Sequence, residues 1–404
     1  MPGKSGRTGW RKPSPTGWGR GRPSAEGSDL RIGIDARLAC WSRPTGTGRY
    51  ARQLLAALAE TGPEHEFRLL VVDSRHGDRP PVADPPANFG VVRVPGSERL
   101  LKLRWLAGLG PSVTAAAGPL DLFHSPHVDH MASGATPRVL TVHDLCFLTH
   151  PAFFPWKDRV LHQLGLRRSL SGARLVIAVS EATAAAVREH LGLAADRIRV
   201  IPEAPAAVFA AAPALAAVEA ARRLSGDAPY ALFVGTLEPR KDVTGLVQAF
   251  TLARRRAGLP HRLLIVGRPG WKSAPLLTAA DAAAAAGVVR LGYLTDEVVA
   301  ALMAAAGCFV YPSLAEGFGL PVLEAMAAGA PVVISDARAL VEVSGGAAEV
   351  VPAGDPEALA ARLADVLGDA ARQADLAARG RRRAAEFSWD GTARATLVAY
   401  SEAA

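Results

Sequence analysis

Apolar and polar positions change register repeatedly along this chain, and each change predicts an element. Val139 to Val142 is short and β-branched, as a strand should be. From Pro229-Tyr230 onward short apolar runs recur at Tyr230 to Val234, Leu263 to Val266, Val288 to Leu291, Cys308 to Tyr311 and Val332 to Ile334. Between them the period lengthens: Val243, Leu246, Val247 and Phe250 share one helical face, as do Leu323, Met326 and Ala327. Val298 to Tyr311 is apolar throughout, and its tail, Cys308-Phe309-Val310-Tyr311, reads as a buried strand that Pro312-Ser313 breaks. The alanine-rich stretch Ala279 to Ala286 stands where a crossover helix is required, so helix is the better reading. Alternating strands and helices imply parallel sheets, hence an α/β chain of doubly wound, Rossmann-like domains.

A boundary falls after Val200-Ile201-Pro202, where the first pattern ends and an alanine-rich connection begins. The division expected is a basic leader at 1–28, a first domain at 29–205, a linker at 206–228, a second domain at 229–385 and a last helix at 386–404. At 404 residues and 49% hydrophobic, the chain can bury two cores.

Charge and cysteine content narrow the classes. The net charge of +8 suggests nucleic acid, but residues 1–28 carry six cations against Glu26 alone, leaving +3 for the rest. The leader, rich in Gly, Pro and Ser, cannot build a core and is expected to be disordered; contact with anionic headgroups and no role at all are both open to it. No nucleic-acid partner is expected. Cys40, Cys146 and Cys308 are odd in number and far apart, which fits neither a disulfide framework nor a zinc cluster and points to a reducing cytoplasm. No apolar run is long enough to span a bilayer, and the N-terminus has no apolar signal core.

The chemistry concentrates in two stretches. In Glu316-Gly317-Phe318-Gly319-Leu320-Pro321-Val322-Leu323-Glu324, two carboxylates flank a glycine pair and a helix start. Pro321 suits the first position of a helix, which puts Glu324 in the first turn and Glu316 in the loop before it. Glycines let a ligand approach the backbone, and the positive end of the helix attracts phosphate. In Val234-Gly235-Thr236-Leu237-Glu238-Pro239-Arg240-Lys241-Asp242, two cations stand at a strand's carboxyl end, where open α/β sheets bind ligands. A guanidinium fork beside an ammonium suits a diphosphate. Each motif alone also fits a solvated surface; the two together make that reading weaker.

Together these motifs resemble the retaining glycosyltransferases of family 4, which have the two-domain fold called GT-B. Thr45-Gly46-Thr47-Gly48-Arg49-Tyr50, Asp121-Leu122-Phe123-His124-Ser125-Pro126-His127, Thr141-Val142-His143-Asp144-Leu145 and Ala178-Val179-Ser180-Glu181-Ala182-Thr183 follow in the order of that family, so the match covers nearly everything after the first thirty residues. The resemblance implies two Rossmann-like domains facing each other across a cleft, the first on the acceptor side and the second holding the nucleotide-sugar, with the last helix crossing back. It places Glu316 on the donor sugar, Glu324 on the ribose, Arg240 and Lys241 on the diphosphate, and Gly46 and Gly48 over the phosphates. Gly235, Phe318, Gly319 and Leu320 complete the donor side. His143, which follows a strand, would face the transferred sugar; His124, His127 and Asp144 are acceptor-side candidates.

A histidine at a strand end is more often packed than catalytic, and nothing in the spacing of His124, His127 and His143 forces a common site. The chain has no Asp-x-Asp pair, so no metal is expected and the cations take that work. It departs from its relatives after Ile334, reading Ser335-Asp336-Ala337-Arg338-Ala339-Leu340-Val341-Glu342, where Glu342 alone is retained. The activity implied is transfer of a hexose from a nucleoside diphosphate sugar, GDP-mannose before UDP-glucose, to a hydroxyl of a glycan or lipid-linked glycan, in the cytoplasm or at the inner face of the membrane, with no further cofactor. An epimerase or phosphorylase of the same fold, and a non-catalytic binding protein, are the alternatives. A dehydrogenase lacks support, because Gly46-Thr47-Gly48 has no third glycine at the required offset.

Overall fold

The computed structural model of the chain describes residues 29–42, 46–73 and 79–404, so the expectations for the leader and for Thr45 lie outside the described residues. Seven parallel strands form the first sheet: β1 Arg31–Asp35, β2 Glu66–Asp73, β3 Phe89–Ser97, β4 Leu122–Ser125, β5 Arg138–Val142, β6 Ala173–Ala178 and β7 Ile198–Val200. Their spatial order is β3-β2-β1-β4-β5-β6-β7. Six more, β8 Tyr230–Val234, β9 Arg262–Val266, β10 Val288–Gly292, β11 Cys308–Tyr311, β12 Val332–Ser335 and β13 Glu349–Val351, form a second parallel sheet in the order β10-β9-β8-β11-β12-β13. Each order reverses once, between β1 and β4 and between β8 and β11, which is where doubly wound sheets open a crevice beyond their strand ends.

The central strands are apolar because helices cover both faces: β8, β9, β11 and β12 are almost wholly buried. The apolar run from Val298 divides into the helix Asp296–Ala304 and strand β11. The alanine-rich stretch contributes to the helix Ala274–Ala282 and a following single turn at Ala284–Ala286. Strand β13 escapes the sequence pattern, since three residues at a sheet edge carry no periodicity.

The last helix, Trp389–Ala403, is capped by Ser388, whose Oγ accepts from Gly391 N. It buries Thr396, Ala399 and Tyr400 against the helix Gly46–Thr61 and the first sheet. Thr392 Oγ1 donates to Pro202 O at 2.8 Å and Arg174 Nη1 to Ala403 O at 3.2 Å, so the end of the chain is tied to the first sheet, away from the second-sheet strands that precede it.

Candidate active site

Beyond the carboxyl end of β8, Gly235 N donates to Val266 O at 2.9 Å. Facing it, Gly267 has φ +146°, and a Cβ there would stand 1.8 Å from Gly235 O. Only glycine permits two strand ends to run so closely, backbone on backbone. The chain then makes a single turn at Pro239–Lys241 and enters the helix Val243–Ala257, capped by Asp242, whose carboxylate accepts from Gly245 N at 3.1 Å. Arg240 and Lys241 are thus held between a strand end and a helix start.

Both cations meet Glu316. Lys241 Nζ lies 2.5 Å from Glu316 Oε1, and Arg240 Nη1 lies 2.6 Å from Glu316 Oε2, so each carboxylate oxygen has its own cation. Arg240 Nε also pairs with Glu238 at 2.6 Å, and Lys241 donates to Tyr311 Oη at 2.5 Å. Burial pushes the Glu316 carboxyl up, but Arg240 and Lys241 outweigh it and hold it at about 2. Burial and the neighbouring Arg240 push the Lys241 ammonium down, while Glu316 supports its charge. Glu238 and Tyr311 complete this cluster, and sequence reading missed both as site residues; the place of Glu238, two residues before Arg240, was the available signal.

Gly319, at φ +105°, caps the helix Leu320–Ala328, and a Cβ there would stand 2.5 Å from Leu340 Cδ2. The helix begins at Leu320, with Pro321 second, so Glu324 lies in the second turn rather than the first. The side chains of Phe318 and Leu320 are buried in the second core, Phe318 edge-on to Phe387, so it is their backbone that stands open to a ligand. Glu324 is fully buried, with Arg49 Nη2 2.5 Å from its Oε1 and Asp296 on the far side of that guanidinium at 3.5 Å. Burial pushes the Glu324 carboxyl up to about 7; Arg49 pulls against this, and Asp296 and Glu203 add to it.

Arg49 follows the glycines expected to form a loop over the phosphates. Gly46 and Gly48 instead lie in the first turn of the helix Gly46–Thr61, and Gly48 is buried, so Arg49 is the group this segment extends to the second domain.

The first domain's histidines separate. His143 is largely buried, with Nδ1 2.9 Å from Glu203 Oε1, Nε2 2.9 Å from Pro126 O, and Tyr50 edge-on at 4.6 Å. Burial lowers its proton affinity, but the Glu203 hydrogen bond and charge raise it by more. His143 marks the domain contact: a Cβ on Gly317 would stand 1.7 Å from its carbonyl oxygen. There Gly317 O accepts from Ser180 Oγ at 2.5 Å and Thr183 Oγ1 at 2.9 Å.

His124 is corrected. It is fully buried between Tyr400 Oη at 2.6 Å and Thr141 Oγ1 at 2.8 Å, and burial pushes its pKa down to about 3, so it joins the last helix to the sheet as a neutral ring. His127 is also committed within its domain, with Nε2 3.2 Å from Asp35 and Nδ1 accepting from Asp129 N at 3.2 Å. Asp144 Oδ1 accepts from Cys146 N at 2.9 Å, and the residue lines a cavity of about 380 Å³ with Glu316 and Gly317. Glu342 serves the domain contact: its two oxygens accept from Glu181 N at 2.7 Å and Ala182 N at 2.9 Å, capping the helix Glu181–Leu191 from the other domain.

Residues 44–204 match the family described as Glycosyltransferase Family 4, and residues 218–383 match Glycosyl transferases group 1. O-antigen chain mannosyltransferase B of Escherichia coli is 36% identical over 290 residues, 69% of this chain and 74% of its own length. The chain belongs to the family 4 glycosyltransferases. A second relative of this transferase, the D-inositol 3-phosphate glycosyltransferase of Pseudarthrobacter chlorophenolicus, is 30% identical over 89% of this chain and 90% of its own. Among solved structures, Anabaena HepE in complex with UDP and glucose superposes with a TM-score of 0.68 at 18% identity, covering 92% of the transferase and 100% of HepE. The fold is GT-B, as the two doubly wound sheets require. Among the described residues no helix is long and apolar enough to cross a membrane.

Proposed function

We propose that the transferase moves a hexosyl group, mannosyl first and glucosyl second, from a nucleoside diphosphate sugar to a hydroxyl of a glycan or lipid-linked glycan, with retention at the anomeric carbon. The observation that carries this reading is the Glu316 carboxylate held between Arg240 and Lys241 beside the start of the helix Leu320–Ala328. The leaving group of such a reaction is a diphosphate that gains negative charge as the glycosidic bond breaks. Fixed cations and a helix N-terminus in a water-poor site stabilise that charge without reorganising. Glu316 stays ionised because its cations keep it so, and its remaining lone pairs can accept sugar hydroxyls while the ring gains positive charge. Glu324, one turn into that helix, can take the ribose.

The mannosyltransferase from Escherichia coli supports the choice of sugar, and the UDP and glucose bound to HepE support a nucleotide-sugar donor. The retaining outcome rests on the family resemblance.

The test is acceptor-dependent release of nucleoside diphosphate from a panel of nucleotide-sugars, followed by NMR of the product anomer. GDP-mannose turnover with an α-linked product is expected. Release without an acceptor, or an inverted product, overturns the proposal.

A further inference from the structure

Six large apolar side chains that the first domain exposes lie on or just past two of its helices. On the helix Trp156–Ser171, Trp156, Val160 and Leu164 are exposed, Trp156 by 66%. Spaced four apart, they form one stripe along the outer side. The helix Glu98–Leu106 buries Leu101 and Trp105 and turns Leu100 and Leu103 outward; Leu109, just past its end, is 70% exposed. The two surfaces adjoin, since a Cβ on Gly108 would lie 3.5 Å from Arg168 Nη1.

Cations frame this surface. Lys157 Nζ lies over the Trp156 ring at 5.6 Å, and the exposed Arg167 and Arg168 follow Leu164. Arg99 and Arg104, also exposed, flank the two outward leucines. The acids of the two helices do not interrupt it: Glu98 is partly buried, and Asp158 lies about half a turn round the helix from the Trp156 stripe.

An exposed apolar patch of this kind needs an occupant. An apolar stripe framed by cations, with a tryptophan at its edge, matches the layered chemistry of a bilayer surface: apolar groups enter the headgroup boundary while Lys and Arg meet anionic phosphates. We infer that this surface docks the transferase onto an anionic membrane leaflet through the helices Glu98–Leu106 and Trp156–Ser171.

The position agrees with the use. Two residues before Trp156, the Phe154 ring stacks on Trp271 of the second domain at 5.2 Å, and Trp271 Nε1 donates to Phe153 O at 2.8 Å. The patch therefore starts at the rim between the domains and continues over the first. Docking there brings a membrane-borne acceptor to the cleft; that step rests on the acceptor proposed above, whereas docking itself does not.

Sedimentation of the full chain with vesicles tests docking without any turnover. Binding is expected to phosphatidylcholine vesicles containing phosphatidylglycerol and not to phosphatidylcholine alone, and it should weaken in salt. At about fivefold for each arginine lost near the surface, Arg167→Gln with Arg168→Gln should weaken it roughly twenty- to thirtyfold. Trp156→Ser with Leu164→Ser should weaken it at least about tenfold, since the apolar contact is lost. All four positions are exposed, so melting temperature and turnover on a soluble acceptor should stay unchanged. Replacing the six leader cations by glutamine in the full chain controls for the leader and should leave substantial binding. The inference fails if both patch variants bind like wild type, if the leader variant loses all binding, if neutral vesicles bind equally, or if the patch proves to join two copies into a dimer that the Trp156 pair dissolves.

Discussion

Arg49 Nη2 lies 2.5 Å from Glu324 Oε1, joining side chains 275 positions apart across the two domains. Glu324 is buried and Arg49 partly so, and the carboxyl sits near neutrality because burial pushes it up to about 7 while Arg49 pulls it back. A group balanced in this way titrates near neutral pH, and its partner shifts the midpoint that burial sets.

The first prediction follows from that balance. On the proposed reading an ionised Glu324 accepts ribose hydroxyls with charge assistance and a protonated one does not, so donor kcat/KM should fall as pH drops through about 7. Arg49→Ala removes the cation that lowers the carboxyl, so the inflection should move to higher pH. Glu324→Gln should erase it and raise the donor KM roughly ten- to a hundredfold, for a charge-assisted bond worth about 1.5–3 kcal/mol. A profile that Arg49→Ala leaves in place would sink this account.

Glu316 carries the opposite sign. Its folded carboxyl is held at about 2, below the ordinary 4.5 of a glutamate, so between these values the unfolded chain binds more protons than the folded one. The stabilisation is therefore fully present above about 4.5 and is lost as pH falls toward about 2. Thermal melts across that window should slope more steeply for wild type than for Glu316→Gln. At neutral pH the same substitution should lower kcat more than it raises KM, because the sugar ring charges only on the way to the transition state. Equal melting slopes, or a change confined to KM, would remove Glu316 from this role.

Much of this arrangement was legible in the sequence where chemistry and local structure coincide. Arg240 and Lys241 follow a strand and precede a helix, and Glu316 precedes another, so their meeting at a sheet's switch point follows from the parallel pattern. Arg49 was legible only as part of a motif, since nothing local announces a partner 275 residues away. His124 looked like its neighbours because a strand end does not say which way a ring turns; Tyr400, from the far end of the chain, decides it. Phe318 fell within a ligand-binding motif, but an aromatic ring beside a core with Phe387 in reach is buried by the hydrophobic effect. Gly46 and Gly48 suggested a loop, yet packing of Tyr50, Leu54 and Leu58 extends the helix over both.

Turnover should survive chelation. The Arg240 and Lys241 cations can offset diphosphate charge directly, and the sequence offers no Asp-x-Asp pair to hold a divalent ion. Initial rates in excess EDTA should stay within about twofold of untreated enzyme, a difference of about 0.4 kcal/mol in barrier. Complete loss restored by magnesium or manganese would assign the charge to a metal instead.

Gly317 supplies the sharpest test of how the domains cooperate. Its carbonyl accepts hydrogen bonds from Ser180 and Thr183 of the first domain, and its Cα lies against the His143 backbone, where a methyl group would stand 1.7 Å from the carbonyl oxygen and 2.8 Å from Asp144 Cβ. Backbone cannot step aside as the end of a flexible side chain can, so Gly317→Ala should hold the domains apart or displace the loop that carries Glu316. Each route displaces the carboxylate proposed to face the reacting sugar, and a shift near 1 Å at such a site costs about a hundredfold in rate. The expected result is a kcat lowered about a hundredfold, with donor affinity kept within several-fold because Arg240, Lys241 and Glu324 stay on their own elements. Small-angle scattering should show a larger radius of gyration than wild type, or, if the loop moves instead, an unchanged radius with the same loss of kcat. A variant with wild-type kcat would show that the contact between Gly317 and His143 plays no part in the working enzyme.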